Sequence, residues 1–101
     1  MVYNKLVRDK IPQIIAASGK NCVTEVLQED AYLQKLDEKL SEELAEYQES
    51  KSLEELADLL EVMAAVVKAR GYTWEELERI RARKREKRGG FEDRILLKES
   101  E

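Results

Sequence analysis

Residues 41–62, SEELAEYQESKSLEELADLLEV, carry eight acidic side chains, six of them in two similar groups. The first group reads EExxE, at Glu42, Glu43 and Glu46; the second reads EExxD, at Glu54, Glu55 and Asp58. Carboxylates three residues apart share one face of a helix, so two such pairs on facing helices could jointly hold a hard divalent cation. The remaining chemistry is narrow. Histidine is absent, which excludes a Ser–His or Cys–His nucleophile, a His base and His-ligated zinc or iron. Acid–base and ligand groups must then be carboxylate, Lys, Tyr or backbone, and a carboxylate site favours Mg²⁺, with Mn²⁺ as the alternative.

The elements that would position these acids are legible as helices. Asp9 is placed to cap a first helix running to about Ala17, with Pro12 in its first turn and Gly19 as its stop. From about Glu29 to Glu49 a helical period places Leu33, Leu36, Leu40, Leu44 and Tyr47 on one face. Ser52 with Glu55 forms a capping-box pattern for the next helix, which ends near Gly71. The joint ESKS is short, so these two helices should form an antiparallel hairpin. Thr73 and Glu76 signal a fourth helix over about 74–88, stopped by Gly89-Gly90. Residues 22–27, NCVTEVL in context, alternate weakly and are β-branched, and an extended 92–98 could pair with them. The expected fold is mainly α: a compact bundle of about four helices around a central antiparallel hairpin, with a minor two-stranded sheet as an addition.

At 101 residues the chain fits one domain, 1–101, and buries only about 60–65% of the surface its unfolded state exposes. Cys22 is alone, so no internal disulfide reinforces that core; self-association is the expected remedy. A lone cysteine, with no recognisable signal peptide or membrane span, points to a cytoplasmic protein with no membrane partner.

On a helical wheel Glu43 falls between Tyr32 and Leu36, inside the apolar stripe, and Glu46 at its margin. Glu55 falls between Val62 and Val66, and Asp58 at that face's edge. Glu42, Glu49, Glu54 and Glu61 point more outward. Burying an ionised carboxylate costs several kcal/mol or more unless something neutralises it. A divalent cation would do so. Two plainer explanations compete: Glu55 as the capping partner of Ser52, and Glu43 and Glu46 as partners of Lys39 and solvent.

Charge is segregated as well. Glu25 to Glu61 holds thirteen acids against three lysines, a balance of −10, whereas Arg79 to Lys98 holds nine bases against three acids, +6. Arg81, Lys84, Arg85 and Arg88 share one side of the last helix. They could be a solvated face, a nucleic-acid contact, or one wall of a site for a small anion bridged to the metal. With few aromatics and an acidic half that repels polyanions, nucleic acid is the weaker partner. Tyr47, Tyr72 and Trp74 could stack on a base, though such residues more often pack.

Glu42-Glu43-x-x-Glu46 followed by Glu55-x-x-Asp58 on consecutive helices resembles the MazG-like all-α nucleoside triphosphate pyrophosphohydrolases. The segments YNKLVRDKIPQII and KRGGFEDRILL resemble a small branch of that superfamily, labelled phosphoribosyl-ATP pyrophosphohydrolase-like. The likeness covers nearly the whole chain, although the eight residues between Glu46 and Glu55 are fewer than the usual MazG spacer. The resemblance implies Mg²⁺-dependent cleavage of a nucleoside triphosphate, or a related nucleotide, to monophosphate and pyrophosphate. It assigns the metal to Glu43, Glu46, Glu55 and Asp58, and activation of the attacking water to Glu42 with Glu43. Lys84 and Arg88, and more weakly Lys5 and Arg8, would contact the substrate's phosphates. A homodimer or larger assembly is usual in the superfamily. The alternative function is a non-enzymatic helical module that binds nucleic acid or a partner protein through the basic 79–88 helix.

Overall fold

Four helices form in the computed structural model, which describes residues 3–101: α1 (Ile11–Ala17), α2 (Glu29–Ser50), α3 (Leu53–Ala69) and α4 (Trp74–Arg88). Residues 3–10, which lead into α1, have no regular structure. The α2–α3 pair is the centre of the fold. Its joint is only two residues long: Lys51 takes a left-handed conformation (φ 59°), and Ser52 caps α3 by accepting the Glu55 amide at 3.3 Å. The left-handed turn is unusual for a side chain with a Cβ. The Lys51 amide donates to the Tyr47 carbonyl at 2.7 Å, and its ammonium lies 5.6 Å from the Tyr47 ring centroid. So short a turn leaves α2 and α3 antiparallel and packed along their length.

The other helix ends follow local chemistry. Thr73 and Glu76 complete a reciprocal capping box at the start of α4, and Gly89 (φ 80°) ends it. At α1 the expectation fails: Lys10, not Asp9, occupies the cap position, and no side chain caps the helix. The chain enters α1 through a turn in which the Ile11 amide donates to the Arg8 carbonyl. That bond satisfies an orphan donor by backbone, and Pro12 removes another.

The minor sheet is not formed; no strand occurs among the described residues. Val23 and Val26 are fully exposed, as are most of the side chains of Ile95, Leu96 and Leu97, so neither segment has a face to bury. Arg94 adopts a positive φ of 57°, which interrupts the second segment. An isolated two-stranded pairing is marginal in water even when continuous. No helix is long and apolar enough to cross a membrane.

The core is small. Leu36, 3% exposed at the middle of α2, is the one buried apolar side chain among the described residues. The radius of gyration is 18.0 Å, against about 13 Å for a compact domain of this length. Along α3, Leu53, Leu56, Leu60 and Met63 form an exposed apolar stripe. Replacing Leu36→Ala should therefore cost about 2–5 kcal/mol, a large share of the total, while Leu36→Met costs less than about 1.5. Thermal denaturation followed by circular dichroism separates the two outcomes.

Candidate metal centre

The tight hairpin brings the first half of α3 alongside the second half of α2, and the acids meet there. Ligand oxygens of Glu42, Glu43 and Glu46 lie within 4.8 Å of one another; so do those of Glu43, Glu55 and Asp58. Glu43 belongs to both groups. It is also the one buried charged residue of the described chain, 7% exposed, with Glu46 less covered beside it.

Three cations approach this cluster. The Lys5 Nζ donates to Glu42 Oε1 at 3.0 Å, and Arg8 Nη2 to Asp58 Oδ1 at 2.7 Å. Lys39, one turn before the acids on α2, lies 3.3 Å from Glu42 and 3.5 Å from Glu43. Between them lies a cleft of about 250 Å³ lined by Val7, Arg8, Ile11, Lys39, Glu43 and Asp58. A roomier hollow, about 370 Å³, sits at the α3–α4 corner among Lys68, Tyr72 and Trp74. It contains no carboxylate. Tyr72 and Trp74 share this hollow, while Tyr47 lies under Lys51.

The plainer explanations of the buried acids are only half met. Ser52 does take the Glu55 amide, but the Ser52 amide donates to Ser50 Oγ, so the Glu55 carboxylate is not used in a capping box. Its Oε2 is buried without a hydrogen-bond partner. Lys39 does pair with Glu43, yet Glu43 Oε2 is equally unpartnered, and Glu46 makes no ion pair with another of the described residues. Two orphaned carboxylate oxygens, one on each helix, fit the all-oxygen donor set of Mg²⁺ or Mn²⁺.

The electrostatics divide neighbouring residues. Burial pushes the Glu43 carboxyl above its ordinary 4.5, helped by the adjacent Glu46 and Asp58 and opposed by Lys39. The hydrogen bond from Lys5 holds Glu42 below 4.5, with Lys39 assisting and burial opposing. Lys5 is correspondingly raised above 10.5 by Glu42.

The outward placement of Glu42 needs correction. Its side chain is 28% exposed, because residues 3–10 lie over that side of α2 and bring Lys5 onto it. The wheel treats the helix against one neighbour and does not register a non-helical segment. Glu49, Glu54 and Glu61 are exposed, as expected. The structure thus brings Glu42, Glu43, Glu46, Glu55, Asp58, Lys5 and Arg8 together. Lys84 and Arg88 stand apart, exposed and without an ion pair or hydrogen bond to the cluster. Lys39 is the lining residue missed as a site residue; its i, i+3 and i, i+4 spacing to Glu42 and Glu43 was the available signal.

No family model matches the chain, and no solved structure matches it. An uncharacterised protein of Mycolicibacterium smegmatis is 52% identical over 42 residues, which is 42% of this chain. The chain spans 43% of that relative's length.

The two adjacent glutamates should respond to pH with opposite sign. Glu43, with a raised pKa, contributes stability below its unfolded value of about 4.3 and loses it as pH rises through its folded pKa. Glu43→Gln should then raise the melting temperature at pH 7.5 and lose that advantage near pH 4. Glu42, with a depressed pKa, contributes stability above about 4.3 that fades as pH falls. Glu42→Gln should lower the melting temperature at pH 7.5 and converge on wild type in acid. Melting curves at several pH values without divalent cations test both.

Proposed function

We propose that the protein is a Mg²⁺-dependent nucleotide pyrophosphohydrolase, a MazG-like enzyme that cleaves a nucleoside triphosphate or related nucleotide to monophosphate and pyrophosphate. The observation that carries this reading is the buried Glu43 carboxylate at the junction of two carboxylate triads, with an unpartnered oxygen. The motif resemblance supplies the reaction class.

In this reading Glu43, Glu46, Glu55 and Asp58 hold the metal, with Mn²⁺ as a substitute. The cation would lower the pKa of a bound water and offset charge on the reacting phosphate. Glu42, whose depressed pKa keeps it ionised at neutral pH, would accept the proton of the attacking water. The water oxygen would bond to the α phosphorus as the α–β anhydride bond breaks, and pyrophosphate would leave. Lys5 and Arg8 stand beside the carboxylates, where phosphate oxygens would lie. Lys84 and Arg88 would reach a substrate only from outside this cluster.

We further infer a homodimer or larger assembly, in the cytoplasm as the lone Cys22 suggests. The Leu53–Leu56–Leu60–Met63 stripe is the surface suited to a second copy, since burying it would supply the core that one chain lacks. Sedimentation should give at least a dimer, and Leu56→Glu with Leu60→Glu should shift it to monomer.

The competing module reading draws on α4, which is basic and exposed over most of its length. Arg81, however, is paired with Glu78 of the same helix at 2.9 Å, and Arg85 with Glu92 just beyond the helix end at 2.7 Å. That leaves Lys84 and Arg88 of the four. A salt-sensitive shift of RNA or DNA mobility, lost when all four are neutralised, would favour it.

The deciding experiment is a nucleotide panel assayed for pyrophosphate release with and without Mg²⁺ or Mn²⁺. Activity should require the metal, and Glu43→Gln or Asp58→Asn should abolish it while leaving the helical circular dichroism intact. Full activity in either variant, or in excess chelator, would overturn the assignment.

A further inference from the structure

The carboxylate cluster is already in contact with cations of its own chain, and these cations differ in how they are held. Lys39 is fixed in α2 with its side chain 17% exposed. Lys5 and Arg8 are about half exposed and sit on the irregular segment 3–10. That segment crosses both helices of the hairpin: Lys5 reaches Glu42 on α2, and Arg8 reaches Asp58 on α3. A third tie, from Lys35 Nζ to the Asn4 carbonyl at 3.2 Å, involves no carboxylate of the cluster.

Five carboxylates thus face three cations, and the deficit falls where Glu43 is nine-tenths buried with an unpartnered Oε2. One divalent cation would restore the balance. An incoming metal would draw on Asp58, whose Oδ1 Arg8 now occupies at 2.7 Å. Contacts of this exposure are weak, so they can be displaced. The displaced ammonium and guanidinium groups would remain at the mouth of the cleft as donors suited to phosphate oxygens.

We propose that Lys5 and Arg8 are exchangeable counterions: before metal binds they pair with Glu42 and Asp58 at the rim of the cluster, on metal binding Arg8 yields Asp58 to the cation and Lys5 releases Glu42, and both then serve as the receptor for the phosphate groups of the ligand. The proposal rests on the metal reading above and adds an order to it. Metal binding creates the anion site. Lys39, anchored in its helix, remains with Glu42 and Glu43 throughout and positions them.

The test uses binding rather than turnover. Mn²⁺ is titrated into wild type, Lys5→Ala/Arg8→Ala and Lys35→Ala by calorimetry or by loss of the free-ion electron paramagnetic resonance signal. Inorganic pyrophosphate is then titrated in excess chelator and at saturating Mn²⁺. The double variant should bind Mn²⁺ about three- to tenfold more tightly than wild type, since Arg8 no longer competes for Asp58 and Lys5 no longer offsets the negative charge beside the site. It should also lose the metal-dependent gain in pyrophosphate affinity that wild type shows. Lys35→Ala, which frees the segment without touching the cluster, should leave Mn²⁺ affinity unchanged. Unchanged or weaker Mn²⁺ binding in the double variant would overturn the exchange while leaving the metal site standing. Equal tightening in Lys35→Ala would also overturn it, by showing that loosening the segment suffices. Absence of Mn²⁺ binding in wild type would instead remove the metal reading itself, and the exchange with it.

Discussion

A carboxylate held in the seam between two helices is the constraint around which this fold is arranged. Glu43 occupies a core position of α2, where a leucine would add apolar burial at no electrostatic cost. Its charge must therefore be matched locally or be partly neutralised by protonation, and the raised pKa shows the match is incomplete. The two-residue turn at Lys51 and Ser52 concentrates the difficulty. By bringing α3 back at once, it places Glu55 and Asp58 opposite Glu43 and adds like charge to a buried site. A fold selected for stability alone would have little reason to keep that arrangement.

The same arrangement explains why the unstructured beginning of the described chain is not idle. Residues 3–10 make no helix or strand, yet Lys5 and Arg8 tie them to both helices of the hairpin. Each such pair contributes little where it is exposed. Their joint effect is to cover Glu42 and to line the cleft with positive charge beside negative. Packing cannot do this work here, because the apolar interior of the described residues amounts to Leu36 and its half-buried neighbours.

What the sequence made legible divides along the range of the interactions. Helix stripes, the Ser52 and Thr73 caps and the glycine stops are local signals, and α2, α3 and α4 emerge close to their expected limits. The inward turn of Glu43 and Glu55 is also local, since it needs only the period of each helix and the shortness of the joint. Strand pairing between 22–27 and 92–98 required contact across most of the chain, and the weak alternation of both segments could not guarantee it. The Lys5–Glu42 and Arg8–Asp58 pairs join residues 37 and 50 positions apart, beyond the reach of any wheel. Glu42 was misplaced for the same reason: its environment is set by a segment with no periodicity. Asp9 was a sound capping candidate on type, displaced by a backbone turn that its neighbours close first.

The charge segregation takes on a different meaning once the contacts are known. An acidic centre and a basic end suggest that the two meet, yet α4 is neutralised nearby, Arg81 by Glu78 and Arg85 by Glu92 just past the helix end. The cations that meet the acids come from the other end of the chain and from α2 itself. Lys84 and Arg88 are left exposed, on a helix that contributes nothing to the cleft lining. If they act on a substrate bound at the carboxylates, they must do so from a second copy or after a rearrangement of α4. Lys5, Arg8 and Lys39 need neither. Proximity therefore favours the N-terminal bases over the C-terminal ones as the phosphate contacts, reversing the weight that sequence pattern alone assigns to them.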